Sequence, residues 1–153
     1  MSKPKVYIIS ILIPLIIGGI VAWITSGQME AFETLNQPKL SPPGILFPIV
    51  WSILYILMGI SYAILKTNGL VDSQVNLIYY LQLAVNALWS IIFFNLKWRL
   101  FAFFWLLLLI GLVIAMIVIF YNKNKTAGLL QIPYLAWCTF AAYLNMAIYL
   151  LNR

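Results

Sequence analysis

The stretch LFAFFWLLLLIGLVIAMIVIFYN, residues 100–122, decides how this chain is read. It holds no charged side chain, and Arg99 and Lys123 bracket it. A helix rises about 1.5 Å per residue, so a run of this length crosses the ~30 Å hydrocarbon core of a bilayer. Outward from it, four more stretches have the same character. No charge lies between Lys5 and Glu30, between Lys39 and Lys66, between Asp72 and Lys97, or between Lys125 and Arg153. The nine Lys or Arg and the three Asp or Glu residues all fall at the edges of these runs.

Backbone amides in hydrocarbon must be paired within the protein, which leaves helices or closed barrels. The runs are long and do not alternate apolar with polar residues, so barrel strands are excluded. The 153 residues are 65% hydrophobic, more apolar side chain than a soluble domain can cover. The expected fold is an all-α membrane protein, a five-transmembrane-helix bundle forming one domain over residues 1–153. Spans are expected at about 6–25, 45–66, 75–95, 100–121 and 128–151, with a lid loop at 26–43. The first run follows Lys3 and Lys5 as a signal peptide would. It is too long for a typical signal core and lacks a small-x-small cleavage site, so it reads as a retained helix.

The net charge of +6 does not point to nucleic acid. The basic residues stand singly or in pairs at span ends, where they anchor helices to headgroups, and no basic cluster is interleaved with aromatics. Membrane lipid is the expected surrounding partner. With one cysteine, Cys138, and no histidine, an internal disulfide, a Cys/His metal site and a histidine-ligated haem are all excluded. No metal and no resident cofactor is expected, and the commonest general base is absent. Five spans put the N-terminus on one side with Lys66, Lys123 and Lys125. Lys39, Lys97, Arg99 and Arg153 lie on the other. The small excess of positive charge on the first side favours an internal N-terminus. In a bacterial plasma membrane the long first loop then faces outward.

That loop carries Glu30, Glu33 and Lys39, and its Met29, Phe32 and Leu35 recur at helical spacing. A short amphipathic helix over one mouth of the bundle is expected. Pro38, Pro42, Pro43 and Gly44 stiffen the descent into the second span, where a first-turn proline costs nothing.

Three spans carry polar or aromatic stripes. Trp51, Tyr55, Met58 and Tyr62 share one face of the second, and Tyr79, Gln82, Asn86, Trp89 and Phe93 one face of the third. Tyr134, Trp137, Cys138, Ala141 and Asn145 share a face of the fifth. The fourth is aliphatic and has no polar side to present. Amides are costly in hydrocarbon, so Asn86 and Asn145 are expected to point inward, with the indoles beside them. Two readings fit. The stripes pack the helices together, with Asn as interhelical glue. Alternatively they line a pocket for a flat hydrophobic ligand, the indoles stacking and the two amides orienting it.

Specific stretches go further. PKLSPPG at 38–44 followed by PIVWSILYILMG at 48–59, NALWSIIFF at 86–94, and IPYLAWCTFAAYLN at 132–145 resemble the TspO/MBR family of membrane proteins, in order and spacing along nearly the whole chain. The resemblance implies a homodimeric five-helix protein whose pocket, capped by the first loop, binds porphyrins. Carried onto this chain, the pocket comprises Trp51, Asn86, Trp89, Trp137, Ala141 and Asn145. Tyr55, Tyr134 and Cys138 are its neighbours on the same faces, and Phe32, Pro42 and Pro43 belong to the lid. Protoporphyrin IX is the expected ligand or substrate. In some bacterial members it is degraded in light, which would make Trp51 and Trp137 catalytic here. Three departures stand out: Leu40 where the family often has Trp, no acidic residue near Trp105, and Met146 where animal members place Tyr. The expected function is a receptor or sensor for a tetrapyrrole, with Lys39 the cation nearest to hand for its propionates. The alternatives are a light-dependent porphyrin-degrading enzyme and, ranked last because no span holds a carboxylate, a transporter.

Overall fold

A computed structural model describes residues 1–153. It contains α1 (Lys3–Thr25), a short 3₁₀ turn (Ser26–Gln28), α2 (Met29–Glu33), α3 (Leu46–Thr67) and α4 (Ser73–Ser90). A π turn (Ile91–Asn95), α5 (Arg99–Lys123), α6 (Lys125–Leu129) and α7 (Ile132–Asn152) complete it. There are no strands, and five helical segments are long and apolar enough to cross a membrane. α1 packs on α3 and α4, α4 on α5, α5 on α7, and α6 wedges against α3. The outer faces present Leu, Ile and Phe, as lipid requires: Ile16 and Ile20 on α1, Phe104, Leu108 and Val118 on α5.

Two expected helices are broken. The third span gives way at Ser90 to the wider π turn. The fifth is split at Leu130 and Gln131, where Pro133 in the first turn of α7 has no N–H to continue the α6 ladder. Elsewhere the ends follow local chemistry. Gly69, at φ 68°, ends α3: its N–H donates to the Lys66 carbonyl and that of Leu70 to Leu65, at 3.2 and 2.9 Å. Asp72 caps α4 by accepting from the Val75 N–H at 2.9 Å.

Small residues set the α1–α3 spacing. A β-carbon on Gly59 would meet the backbone of Ser10 and Ile11, and one on Gly18 would strike the Tyr55 ring. Gly111 meets nothing, so that small residue faces outward.

Candidate ligand cavity under the first loop

The loop between α1 and α3 is folded down rather than trailing. Phe32 of α2 packs edge-on against Phe93 and Phe94, with ring centroids 5.8 and 5.2 Å apart. Asn36 is clamped to the end of α7. Its N–H donates to Asn152 Oδ1 at 2.9 Å and its carbonyl accepts from Asn152 Nδ2 at 3.0 Å. Ser41 N–H donates to the Pro38 carbonyl at 3.1 Å, closing a turn whose corners are Lys39 and Leu40. Both corner residues are exposed, so Lys39 is turned away from the interior and does not take the place expected of it.

Beneath this cover α1, α3, α4 with its π turn, and α7 line a half-open cavity of about 1110 Å³. Of the residues singled out in the sequence, Trp51, Tyr55, Trp89, Trp137, Ala141 and Asn145 line it, and Phe32, Pro42 and Pro43 close it from above. Trp51 stacks on Tyr55 at 5.7 Å, and Trp137 meets Phe47 edge-on at 5.8 Å.

Asn86, Tyr134 and Cys138 do not reach the cavity. Asn86 and Tyr134 lie behind its wall, where their polar atoms have partners. Tyr55 Oη donates to Asn86 Oδ1 at 3.0 Å, Asn86 Nδ2 donates to Tyr134 Oη at 2.6 Å, and Tyr134 Oη donates to Gln82 Oε1 at 2.8 Å. This buried chain fixes the tilt of Tyr55, and so of the wall, from the far side. Cys138 is fully buried and serves as a small packing group. Asn145 touches the cavity but its amide is engaged. Oδ1 accepts from Trp89 Nε1 at 3.0 Å, and Nδ2 donates to the Arg99 carbonyl at 2.8 Å. The two amides expected to orient a ligand instead orient the indole and phenol that face it.

Sequence reasoning missed the contribution of α1, whose Leu15, Gly18, Gly19, Val21, Ala22 and Thr25 form one wall. Gly18 and Ala22, one turn apart, were the available signal. It also missed Phe94, which the π turn brings to the lining beside Phe93, and Glu33. α5 contributes nothing to the lining. Trp105 donates its Nε1–H to the Val85 carbonyl at 2.8 Å and so binds α5 to α4.

Residues 10–151 match the TspO/MBR family over nearly the full chain. The chain belongs to the TspO/MBR family. It is 41% identical to the "Tryptophan-rich protein TspO" of Archaeoglobus fulgidus, over 94% of each chain. Identity to the "Tryptophan-rich sensory protein" of Cereibacter sphaeroides is 36%, covering 80% of this chain and 77% of that one. The "Translocator protein" of Bos taurus is 31% identical, over 93% and 87%. With the five apolar helices, family membership makes this an integral membrane protein.

Proposed function

We propose that this protein is a membrane receptor for a flat hydrophobic molecule, a tetrapyrrole such as protoporphyrin IX, held in the cavity under the first loop. The observation that carries this reading is the cavity itself, about 1110 Å³ walled by Trp51, Trp89 and Trp137 and roofed by Phe32. Pockets for drug-sized ligands run to about 1,000 Å³, so the space suits a macrocycle rather than a small metabolite. Indole faces supply stacking and apolar burial, and the clamp from Asn36 to Asn152 holds the roof in place. The name of one relative, "Tryptophan-rich sensory protein", agrees with a receptor.

The protein acts as a homodimer in a bacterial plasma membrane in this reading, with its N-terminus inside and its lid outside. Gly111, open on the outer face of α5, is available for close helix contact between copies.

A second reading has one observation in its favour. Trp51 and Trp137, both oxidisable indoles, line the same cavity, so a photoexcited porphyrin seated there would contact both. Dark titration with protoporphyrin IX, followed by illumination in air, separates the two. Saturable quenching of Trp fluorescence with stable porphyrin absorbance supports the receptor. Bleaching into a new absorbing species that Trp51→Phe with Trp137→Phe abolishes supports the enzyme. Wild-type affinity in that double variant counts against this cavity as the site.

A further inference from the structure

The five spans form a ring in which one link is unlike the rest. α1 packs on α3 and α4, α4 on α5, and α5 on α7, each helix directly against the next. The remaining link, from α7 back to α3, is made at the far end, where the short helix α6 stands between them. There Ser61 Oγ donates to the Ala127 carbonyl at 2.6 Å, and a β-carbon on Gly128 would strike the backbone of Tyr121, so α6 is tightly seated. In the lid half α3 and α7 do not pack backbone to backbone. Side chains close that stretch: Phe47 meets Trp137 edge-on at 5.8 Å, and Trp51 meets Tyr134 edge-on at 6.2 Å.

The outer rings of this seam are held lightly. Trp89 and Trp105 have their indole N–H groups tied, to Asn145 Oδ1 and to the Val85 carbonyl. The Trp137 Nε1–H is buried and has no partner in the protein, so ring contacts such as those with Phe47 and Phe140 hold its side chain. The roof is held more firmly. Asn36 exchanges two hydrogen bonds with Asn152 and donates a third, from Nδ2 to the Leu151 carbonyl at 3.4 Å, while Phe32 packs against Phe93 and Phe94. Lifting the roof breaks directional bonds and uncovers an aromatic ring, whereas parting Phe47 from Trp137 breaks no hydrogen bond and leaves both rings in hydrocarbon.

We infer that a flat hydrophobic ligand enters and leaves the cavity sideways, from the bilayer, through the seam between α3 and α7. Phe47 and Trp137 are the gate, and the roof stays shut. The inference rests on the proposed ligand cavity and adds its route of access. Both sides of the seam belong to membrane-crossing helices, and a hydrophobic ligand is concentrated in lipid rather than in water, so the seam opens where the ligand is.

The test follows Trp quenching by protoporphyrin IX in a stopped-flow instrument, in the dark, with the full chain in nonionic detergent. The first arm is Phe47→Ala, with the melting temperature as the check on folding. A gate opens both ways, so association and dissociation are both expected to speed up, by roughly fivefold. A residue that merely touched the ligand would change dissociation alone. The second arm is Asn36→Cys with Asn152→Cys, oxidised to bind the roof to α7. Cys138, the chain's own thiol, is buried and does not compete. Loss of the two new thiols to a maleimide reagent scores the bond. Uptake is expected at the same rate before and after oxidation, and this arm decides alone if Phe47→Ala fails to fold.

Uptake abolished by oxidation and restored by a reductant would overturn the inference, because the ligand would then pass through the roof. Unchanged rates in Phe47→Ala, or a rise in dissociation alone, would overturn it too. In each of those cases wild type still binds, so the cavity reading stands and only the route falls. If wild type shows no saturable quenching, both fall.

Discussion

The two halves of this bundle are made of the same helices and the same kinds of residue, yet one is hollow and the other solid. Toward the lid, α3, α4 and α7 present Trp51, Trp89 and Trp137 to a cavity. Toward the other face the same helices present Tyr62, Tyr79 and Tyr134, and these pack without a gap large enough to form such a space. Tyr62 and Tyr79 lie 4.7 Å apart, Tyr79 and Phe120 6.1 Å. What differs is the fourth wall. In the solid half α5 and α6 push in Met116, Phe120 and Ala127, all fully buried. In the hollow half α1 offers Gly19 and Ala22, which leave room. An aromatic stripe on a helix therefore does not by itself make a pocket; the size of the residues opposite decides.

The contrast can be broken most severely in the solid half. Phe120→Ala removes a fully buried ring and is expected to cost about 3 kcal/mol, seen as a lowered midpoint of unfolding in mixed detergent. The same truncation at Trp51, a larger side chain, is expected to cost less stability because its site already borders open space. It should instead weaken ligand binding by roughly tenfold. If Trp51→Ala proved the more destabilising of the two, the hollow half would be a packed core after all.

Next in size is Gly59→Ala, which drives a methyl into the Ser10–Ile11 backbone and is expected to cost about 2 kcal/mol by the same assay. Gly111→Ala, which meets no neighbour within the protomer, is the matched control and should not lower the midpoint of the dissociated protomer.

The smallest effect belongs to the turn at the far end. The hydrogen bond from Lys123, and then that from the Val75 N–H, hold the Asp72 carboxyl below its ordinary range. Because the folded value is depressed, the stabilisation is present above the ordinary carboxylate pKa of about 4 and is lost as pH falls through the depressed one. Asp72→Asn keeps a cap and loses the pair. It should lower the midpoint slightly at neutral pH, by an amount that shrinks as pH falls below about 4. The pair is exposed, so 1 M salt should shrink the neutral-pH difference as well.

Much of this was legible in the sequence. Charges at the run edges placed five helices, since burying a charge in lipid is prohibitive and the chain shows where it avoids doing so. The indoles, Ala141 and the lid residues Phe32, Pro42 and Pro43 were legible through face periodicity and family resemblance, and they do converge on one space. The amides were read in part: Asn145 lines the cavity and Asn86 does not. Periodicity says that Asn86 and Asn145 point inward, but not that Tyr55, Tyr134 and Trp89 will reach them before a ligand can. Lys39 was misplaced for a different reason. A charge in a loop has no periodic face, and the Pro38–Ser41 turn alone decides that it points out. The break at Ser90 carries no proline or glycine, and no residue there announces the π turn. The wall from α1 went unread because glycines signal close contact equally well, and Gly59 uses its freedom for that while Gly19 faces the cavity.

The most direct measurement fills the hollow. Ala141 is buried at the cavity wall, and Ala141→Trp places an indole in the space claimed for the ligand. Dark titration of this variant and of wild type with protoporphyrin IX, followed by Trp quenching, reads the outcome. The account predicts saturable quenching in wild type, loss of it in Ala141→Trp, and a midpoint of unfolding in the variant at or above that of wild type. Undiminished ligand affinity in a folded Ala141→Trp variant would contradict it, because the ligand would then be bound somewhere other than this cavity.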